Sequence, residues 1–261
     1  MRFAYRIVDV FTDRPLAGNA LCVVLDPVPG PVMAALAREV NLSETSFPVV
    51  VADGEYEVRI FTPGEELPFA GHPTLGTAWV LGPGRWTQRT SGATVVVEAT
   101  AEGAVMEAPE PVFDEVDPGP AAAALGLPGA EAAVVAEAGR IRHLLVPTEA
   151  PLGRLAPDLA AVAAVQRRHR TTSVAAVRRL DDRTLHARVF CPGAGIAEDP
   201  GTGSAAGPFG RLARQRWAVN PDLTIRQGDE AGRPCRISVH AGEILTVGGA
   251  VTACAEGHFT L

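Results

Sequence analysis

The sequence predicts two α/β domains of similar build, on three observations. A short segment recurs half a chain later, each copy leads into a glycine–proline turn and a small-residue helix, and a proline-rich stretch lies between the copies. Arg59-Ile60-Phe61-Thr62-Pro63-Gly64 is echoed by Arg188-Val189-Phe190-Cys191-Pro192-Gly193, an offset of 129 (188 minus 59) in 261 residues. After the first copy comes Gly71-His72-Pro73-Thr74-Leu75-Gly76. After the second comes Glu198-Asp199-Pro200-Gly201-Thr202-Gly203-Ser204.

Around these anchors the apolar periodicity places strands at 3–11 and 20–25, a helix at 31–39, strands at 46–51 and 56–61 about the Asp53-Gly54 turn, and a helix from 73. The second half repeats the plan, with strands at 142–147, 173–179 and 185–191, a helix at 200–215, and strands at 223–226, 236–240, 243–248 and 251–255. Residues 107–127, with Pro109, Pro111, Pro118 and Pro120, read as a linker. The expected domains are 1–112 and 113–248.

Composition excludes several classes of function. All 23 basic residues are arginine, so Schiff-base chemistry, a pyridoxal phosphate lysine and a P-loop lysine are ruled out. The net charge is -7 and the longest basic cluster is Arg167-Arg168-His169-Arg170, which argues against nucleic acid as a partner. Hydrophobic residues make up 47%, yet no run approaches the roughly 20 apolar residues of a membrane span. The N-terminal MRFAYRIVDVF alternates like a strand rather than a signal peptide, so no membrane role and a cytoplasmic location are expected. Cys22, Cys191, Cys235 and Cys254 form no CxxC pair, and none of the histidines has a partner at metal-ligand spacing. Neither a metal nor another cofactor is expected.

Pro73 and Pro200 read as first helical residues, which puts His72 and Asp199 at the caps. The backbone N–H groups that open a helix have no intrahelical partner, and the helix dipole adds partial positive charge there. Such an end holds a carboxylate well. One capped helix is unremarkable, but two duplicated starts are expected to converge on a cleft between the halves, with Gly203 allowing close approach and Ser204 offering a hydroxyl. Asn41-Leu42-Ser43-Glu44-Thr45 is open to two readings. It is either a polar turn, with Asn41 and Glu44 imitating a capping box, or the seat of a half-desolvated carboxyl that takes and returns a proton. Asp9 and Asn19, at strand ends, suit Asx turns, and Glu66 suits hydrogen bonds to loop N–H groups.

Several segments, in order, resemble the PhzF-like proteins, named for the phenazine-biosynthesis isomerase, which share the diaminopimelate epimerase fold. They are Asp9-Val10-Phe11-Thr12 with Gly18-Asn19, Asn41-Leu42-Ser43-Glu44-Thr45, Glu66 through Gly76, and Arg188-Val189-Phe190. Glu198-Asp199-Pro200, Thr202-Gly203-Ser204-Ala205, Gln227-Gly228 and Gly232-Arg233-Pro234 complete the match. The resemblance implies two pseudo-symmetric domains, each a curved mixed sheet around a central helix, with 249–261 returning to the first, and a homodimer.

It further implies an isomerase without cofactor that acts on a small cyclic or unsaturated carboxylic acid, with Glu44 moving a proton between carbons. By the same resemblance His72 and Asp199 orient or protonate the substrate, and Gly71, Gly203 and Ser204 hold its carboxylate. Racemases of this fold use two opposed cysteines, which the helix starts of this chain lack. Two alternatives stay open: an inactive protein that binds small acids, and an epimerase of amino or hydroxy acids with Glu44 and Asp199 opposed.

Overall fold

A computed structural model describes residues 1–127 and 129–261. By internal packing the chain divides into two units, residues 1–107 with 248–261, and residues 108–247.

The first unit opens with β1 (Arg2–Val10) antiparallel to β2 (Asn19–Val24). Helix α1 (Gly30–Val40) carries the chain over to β3 (Glu44–Ala52), which lies parallel to β2 and therefore needs that crossover. β3 turns at Asp53-Gly54 into antiparallel β4 (Glu55–Phe61), followed by the two-residue β5 (Glu66–Leu67). Helix α2 (Gly71–Leu81) then crosses to β6 (Gly84–Arg89), parallel to β4, and an antiparallel meander adds β7 (Thr94–Ala99) and β8 (Gly103–Glu107). α2 touches the strands around it on several sides, and nine of its residues are buried. A helix without a polar face belongs inside a sheet that wraps it.

The second unit repeats this order. Antiparallel β9 (Val112–Val116) and β10 (Ala133–Ala138) flank α3 (Pro118–Leu125), and β10 pairs with β11 (Ile141–Pro147). Helix α4 (Leu159–His169) crosses to β12 (Ser173–Arg179), parallel to β11. Next come β13 (Thr184–Cys191) and β14 (Ile196–Asp199), and α5 (Gly203–Trp217) crosses to β15 (Asp222–Gln227), parallel to β13. β16 (Cys235–Ala241) follows, antiparallel to β15.

The last strand, β17 (Leu245–Thr260), passes out of the second unit at Val247 and into the first at Gly248. From Val251 onward it pairs with β1, Val10 with Val251 to Arg2 with Thr260, and Tyr5 stacks on Phe259 with centroids 4.4 Å apart. Two strands were expected here. One continuous strand forms because a Cβ at Gly103 would lie 2.2 Å from the Gly249 carbonyl oxygen, so glycines let the backbones pass close without a turn.

The linker expected at 107–127 is also corrected. Pro118 sits in the first turn of α3, where its missing N–H costs nothing, and the Asp117 side chain caps Gly119 N. The alanines suit a helix packed closely against others, and Ala121, Ala122, Ala124 and Leu125 join the core formed with Leu144, Val146, Val174 and Phe190. The composition that suggested a linker is that of a short buried helix.

The repeated segment serves one structural purpose twice. Arg59 lies over the Phe61 ring at 5.0 Å and pairs with Glu66, while Arg188 lies over Phe190 at 5.2 Å and pairs with Glu198. Glu66 is thus an ion-pair partner, not the loop-bound acid expected from sequence. The two braces differ in burial: the Arg59 side chain is 46% exposed and that of Arg188 only 8%. Arg188 spends its donors on both Glu198 oxygens, at 2.9 and 2.7 Å, and on the Leu152 and Leu155 carbonyls, at 3.1 and 3.0 Å.

Removing one partner of a satisfied buried pair strands the other charge, a cost of about 3–5 kcal/mol, whereas an exposed pair contributes about 0–1 kcal/mol. Arg188→Met is therefore expected to lower the unfolding free energy by about 3–5 kcal/mol and Arg59→Met by under about 1 kcal/mol. Urea denaturation of the two variants measures the difference.

Candidate functional site

In the first unit the chemistry collects where β3 begins and α2 begins. Asn41 ends α1 in the left-handed conformation, φ 52°, its N–H bonded to the Ala37 carbonyl. Glu44 then opens a strand rather than a helix, so the capping-box reading of Asn41 and Glu44 is set aside.

Strand alternation divides the next residues. Thr45 and Phe47 lie on one face, Phe47 within the core beneath α1, and Glu44 and Ser46 lie on the other, towards α2. Ser46 Oγ is 2.8 Å from Thr77 Oγ1, both buried, and this bond ties the strand to the helix. Glu44 Oε2 lies 3.5 Å from His72 Nε2, and the Glu44 side chain is 13% exposed.

His72 is fully enclosed. Burial pushes its pKa down to about 3, outweighing a backbone contact with Ala20 that acts in the other direction. The ring is neutral at physiological pH, so its contact with Glu44 is not an ion pair. Asn19 Nδ2 stands 3.3 Å from His72 Nδ1, and Ser43 Oγ stands 3.4 Å from Asn19 Oδ1.

Asn19 therefore lies beside His72 and Ser43. Asp9 Oδ2 accepts from Leu16 N at 2.7 Å and clamps the loop between β1 and β2. In that loop Phe11 and Leu16 both adopt positive φ, 68° and 64°, an uncommon backbone for residues with a Cβ.

α2 starts earlier than Pro73 suggests. Ala70 is its cap, Gly71 its first residue and His72 its second, because proline is tolerated throughout a first turn whose N–H groups have no partner inside the helix. A buried chain fixes this end. Tyr56 Oη donates to Gln88 Oε1, Gln88 Nε2 to Thr74 Oγ1, and Thr74 Oγ1 to the Ala70 carbonyl, each at 2.8 Å.

In the second unit Asp199 ends β14, Pro200 lies outside α5, Thr202 is the cap, and Gly203 and Ser204 are the first helical residues. Pro200 thus makes the bend before the helix rather than opening it. Thr202 Oγ1 donates to Asp199 Oδ2 at 2.5 Å. Fully buried Gln227 holds the turn through Asp199 O at 2.8 Å, Thr202 Oγ1 at 3.0 Å and Thr202 N at 3.3 Å.

Gly228, at φ 78°, leaves room for this loop, since a Cβ there would lie 2.5 Å from the Pro200 carbonyl oxygen. Asn19, Thr202 and Gln227 were not among the site residues expected from sequence. Their signal was the Gly18-Asn19 and Gln227-Gly228 pairs, in which a glycine with positive φ sits beside a buried amide.

Thiols are absent from both helix caps, which are Ala70 and Thr202. Cys22 is buried and its pKa is pushed up to about 12, and burial likewise raises that of Cys235. Among the described residues no three His, Cys, Asp or Glu side chains gather as a metal site, and no helix is long and apolar enough to cross a membrane.

The chain matches the family model described as phenazine biosynthesis-like protein over residues 8–257. It is 36% identical to the trans-2,3-dihydro-3-hydroxyanthranilate isomerase of Pseudomonas aeruginosa, over 97% of this chain and 98% of that protein. A PhzF-family phenazine biosynthesis protein from Bacillus anthracis superposes with a TM-score of 0.87 at 22% identity, over the whole of both chains. A probable proline racemase from Agrobacterium radiobacter superposes at 0.64 with 13% identity, over 99% of this chain and 93% of that one, and shares the fold alone. The expected mixed α/β fold of the diaminopimelate epimerase type holds.

Two measurements test this local chemistry. Burial holds His72 and His143 at about 3 and about 4, below the ordinary 6.5, so between these values and 6.5 the unfolded chain binds protons that the folded chain does not. Their contribution to stability is complete above pH 6.5 and falls as the pH drops through that window. The unfolding free energy is expected to fall from pH 6.5 to 5, His72 and His143 together contributing up to about two protons to the slope at the acid end, and His143→Gln to remove about one of them. Calorimetry across this range checks both.

Thr45 Oγ1 is buried on the α1 face with no hydrogen-bond partner among the described residues. Thr45→Val is expected to leave stability unchanged or raise it by up to about 1 kcal/mol in denaturant titration, while Ser46→Ala on the opposite face lowers it by a similar amount.

Proposed function

We propose that this chain, which belongs to the phenazine biosynthesis-like family and is an isomerase, moves a proton between two carbons of a small cyclic or unsaturated carboxylic acid, with Glu44 carrying it. One observation carries this reading: the first unit has a largely enclosed carboxyl against a neutral imidazole, and the second unit has no carboxyl at the matching place. Thr45 pairs with Phe61 and Val174 with Phe190, so the repeat aligns Glu44 with Ser173. A single acid that both removes and returns a proton favours a positional shift over inversion by two opposed groups.

In this mechanism the Glu44 carboxylate breaks one C–H bond, the electron pair moves along the conjugated system, and the resulting carboxyl delivers the same proton to another carbon. Electrons and atoms balance without an oxidant or a second reactant. His72, neutral and 3.5 Å from that carboxylate, is placed to orient or protonate the substrate. Asp199, fixed by Thr202 and Gln227, orients a polar substituent. Gly71 at one helix start, and Gly203 and Ser204 at the other, are the candidates for the substrate carboxylate, which the N–H groups and dipole of a helix start suit.

The substrate named for the Pseudomonas aeruginosa relative, trans-2,3-dihydro-3-hydroxyanthranilate, is the first acid to try. Proton NMR in deuterated water reads both the product and the exchange. Glu44→Gln is expected to lower turnover and deuterium incorporation by at least about 10³-fold while binding changes less than about threefold. Undiminished turnover in that variant removes Glu44 from the mechanism. Binding without exchange in the wild type identifies an inactive binder, and an inverted centre without a positional shift identifies an epimerase.

A further inference from the structure

A fully buried glutamine serves a helix start in each unit. Tyr56 pairs with Gln88 across β4 and β6, Leu185 pairs with Ile225 across β13 and β15, and the offset of 129 aligns Tyr56 with Leu185 (185 minus 56). Gln88 therefore corresponds to Ile225, and Gln227, two residues on, lies on the same face of the equivalent strand. Both amides donate from Nε2 to a threonine hydroxyl, Thr74 in the first unit at 2.8 Å and Thr202 in the second at 3.0 Å. What the hydroxyl then serves differs. Thr74 gives its proton to the Ala70 carbonyl, and Thr202 gives its proton to a side chain, Asp199 Oδ2.

The direction of each bond in the second unit is fixed by its neighbours. Thr202 N–H can only donate and the Asp199 carbonyl can only accept, so the Gln227 amide has one orientation, Oε1 towards the former at 3.3 Å and Nε2 towards the latter at 2.8 Å. Its second Nε2 proton occupies a lone pair of Thr202 Oγ1. Among the described residues that hydroxyl meets one acceptor, Asp199 Oδ2 at 2.5 Å, and its single proton goes there. Such a length is usual where a hydroxyl donates to an ionised carboxylate. Other charged groups about β14 to β16 have partners of their own: Arg188 holds Glu198, and Asp229 holds Arg226 and Arg236. The Cys235 thiol, which feels the charges of both Asp199 and Arg233, is kept neutral by burial.

We propose that Gln227 and Thr202 are positioning residues that hold Asp199 as an ionised hydrogen-bond acceptor, so that Asp199 receives a donor group of the substrate and supplies no proton to the reaction. This rests on the reading above, in which Asp199 orients a polar substituent, and it decides between the two roles, orienting and protonating, that the resemblance leaves to this residue. An epimerase with Glu44 and Asp199 opposed needs Asp199 to hold a proton in one of its two states. The directed bonds from Gln227 and Thr202 oppose that state.

The charge is read first in the ligand-free protein. With ¹³C-labelled aspartate, the Asp199 carboxyl resonance, identified by its absence from Asp199→Asn, is expected to be that of the ionised group from about pH 6 to 8. Thr202→Val, which cannot donate, is expected to move that resonance, and Gln227→Met to move it likewise, while Thr202→Ser leaves it in place. A neutral Asp199 carboxyl in that range, or a resonance that Thr202→Val does not move, overturns the proposal. Thr202→Val beside Thr202→Ser suffices should Gln227→Met fail to fold.

Turnover of trans-2,3-dihydro-3-hydroxyanthranilate then separates the two roles. Asp199→Asn is expected to raise KM at least about tenfold and to lower kcat by less than about tenfold, since an amide still accepts through its carbonyl oxygen but cannot give up a proton as a carboxyl does. A larger fall in kcat, which loss of a proton donor brings at about 10²–10⁴-fold, overturns the proposal. Thr202→Val should raise KM about tenfold and Thr202→Ser keep it within about twofold of the wild type, and an unmoved KM in Thr202→Val also overturns it. A wild type inert towards that acid, with Asp199 ionised and responding to Thr202→Val, refutes the substrate reading and leaves the charge assignment standing.

Discussion

The hydrogen bond between Ser46 and Thr77 fixes which face of β3 meets α2. Alternate side chains of a strand point opposite ways, so a slip of one residue would turn Glu44 towards the apolar core under α1 and bring Thr45 to the helix. Phe47 and Phe61, in edge contact with centroids 5.7 Å apart, hold the other face in its core and make that slip costly. The placement of the carboxyl beside His72 therefore follows from packing two residues away. The Tyr56–Gln88–Thr74 chain serves the helix side of the same corner, fixing its first turn as Ser46 fixes the strand.

Duplication supplied the frame, and divergence supplied the chemistry. Each unit keeps an arginine laid over a phenylalanine and paired with a carboxylate a few residues on, Glu66 in one and Glu198 in the other. The corner inside that frame has changed. Glu44 and His72 in the first unit correspond to Ser173 and Ser204 in the second, where the imidazole has moved to the neighbouring strand as His143. At the strand position the acid is present in the first unit alone, while the second keeps Asp199 just before its helix start.

Much of the fold was legible because strands and helices are local. The repeat, both crossovers through small-residue helices, and the strands from β1 to β4 follow from periodicity of two or about four residues and from turn chemistry. The stretch read as a linker shows where locality misleads: proline and alanine mark either an exposed connection or the start of a closely packed helix, and only the partner surface of Leu125 and Ala121 decides. The glycines at 248 and 249 were ambiguous in the same way until β8 was seen to run against them.

By itself the sequence determined the doubled architecture, the lack of lysine chemistry and the want of thiols at the helix caps, because residue identity and spacing carry that information along the chain, while Glu44, His72, Asp199, Gly71, Gly203 and Ser204 became candidates through the family resemblance of their motifs. Tertiary structure alone decided that His72 is neutral, that Asn19 and Gln227 belong with the candidate residues, and that Ser173 stands where the second unit might have held an acid. Protonation depends on how much water reaches a ring, and partnership depends on which strands lie side by side. Both are fixed by residues far away in the chain, so no local pattern records them.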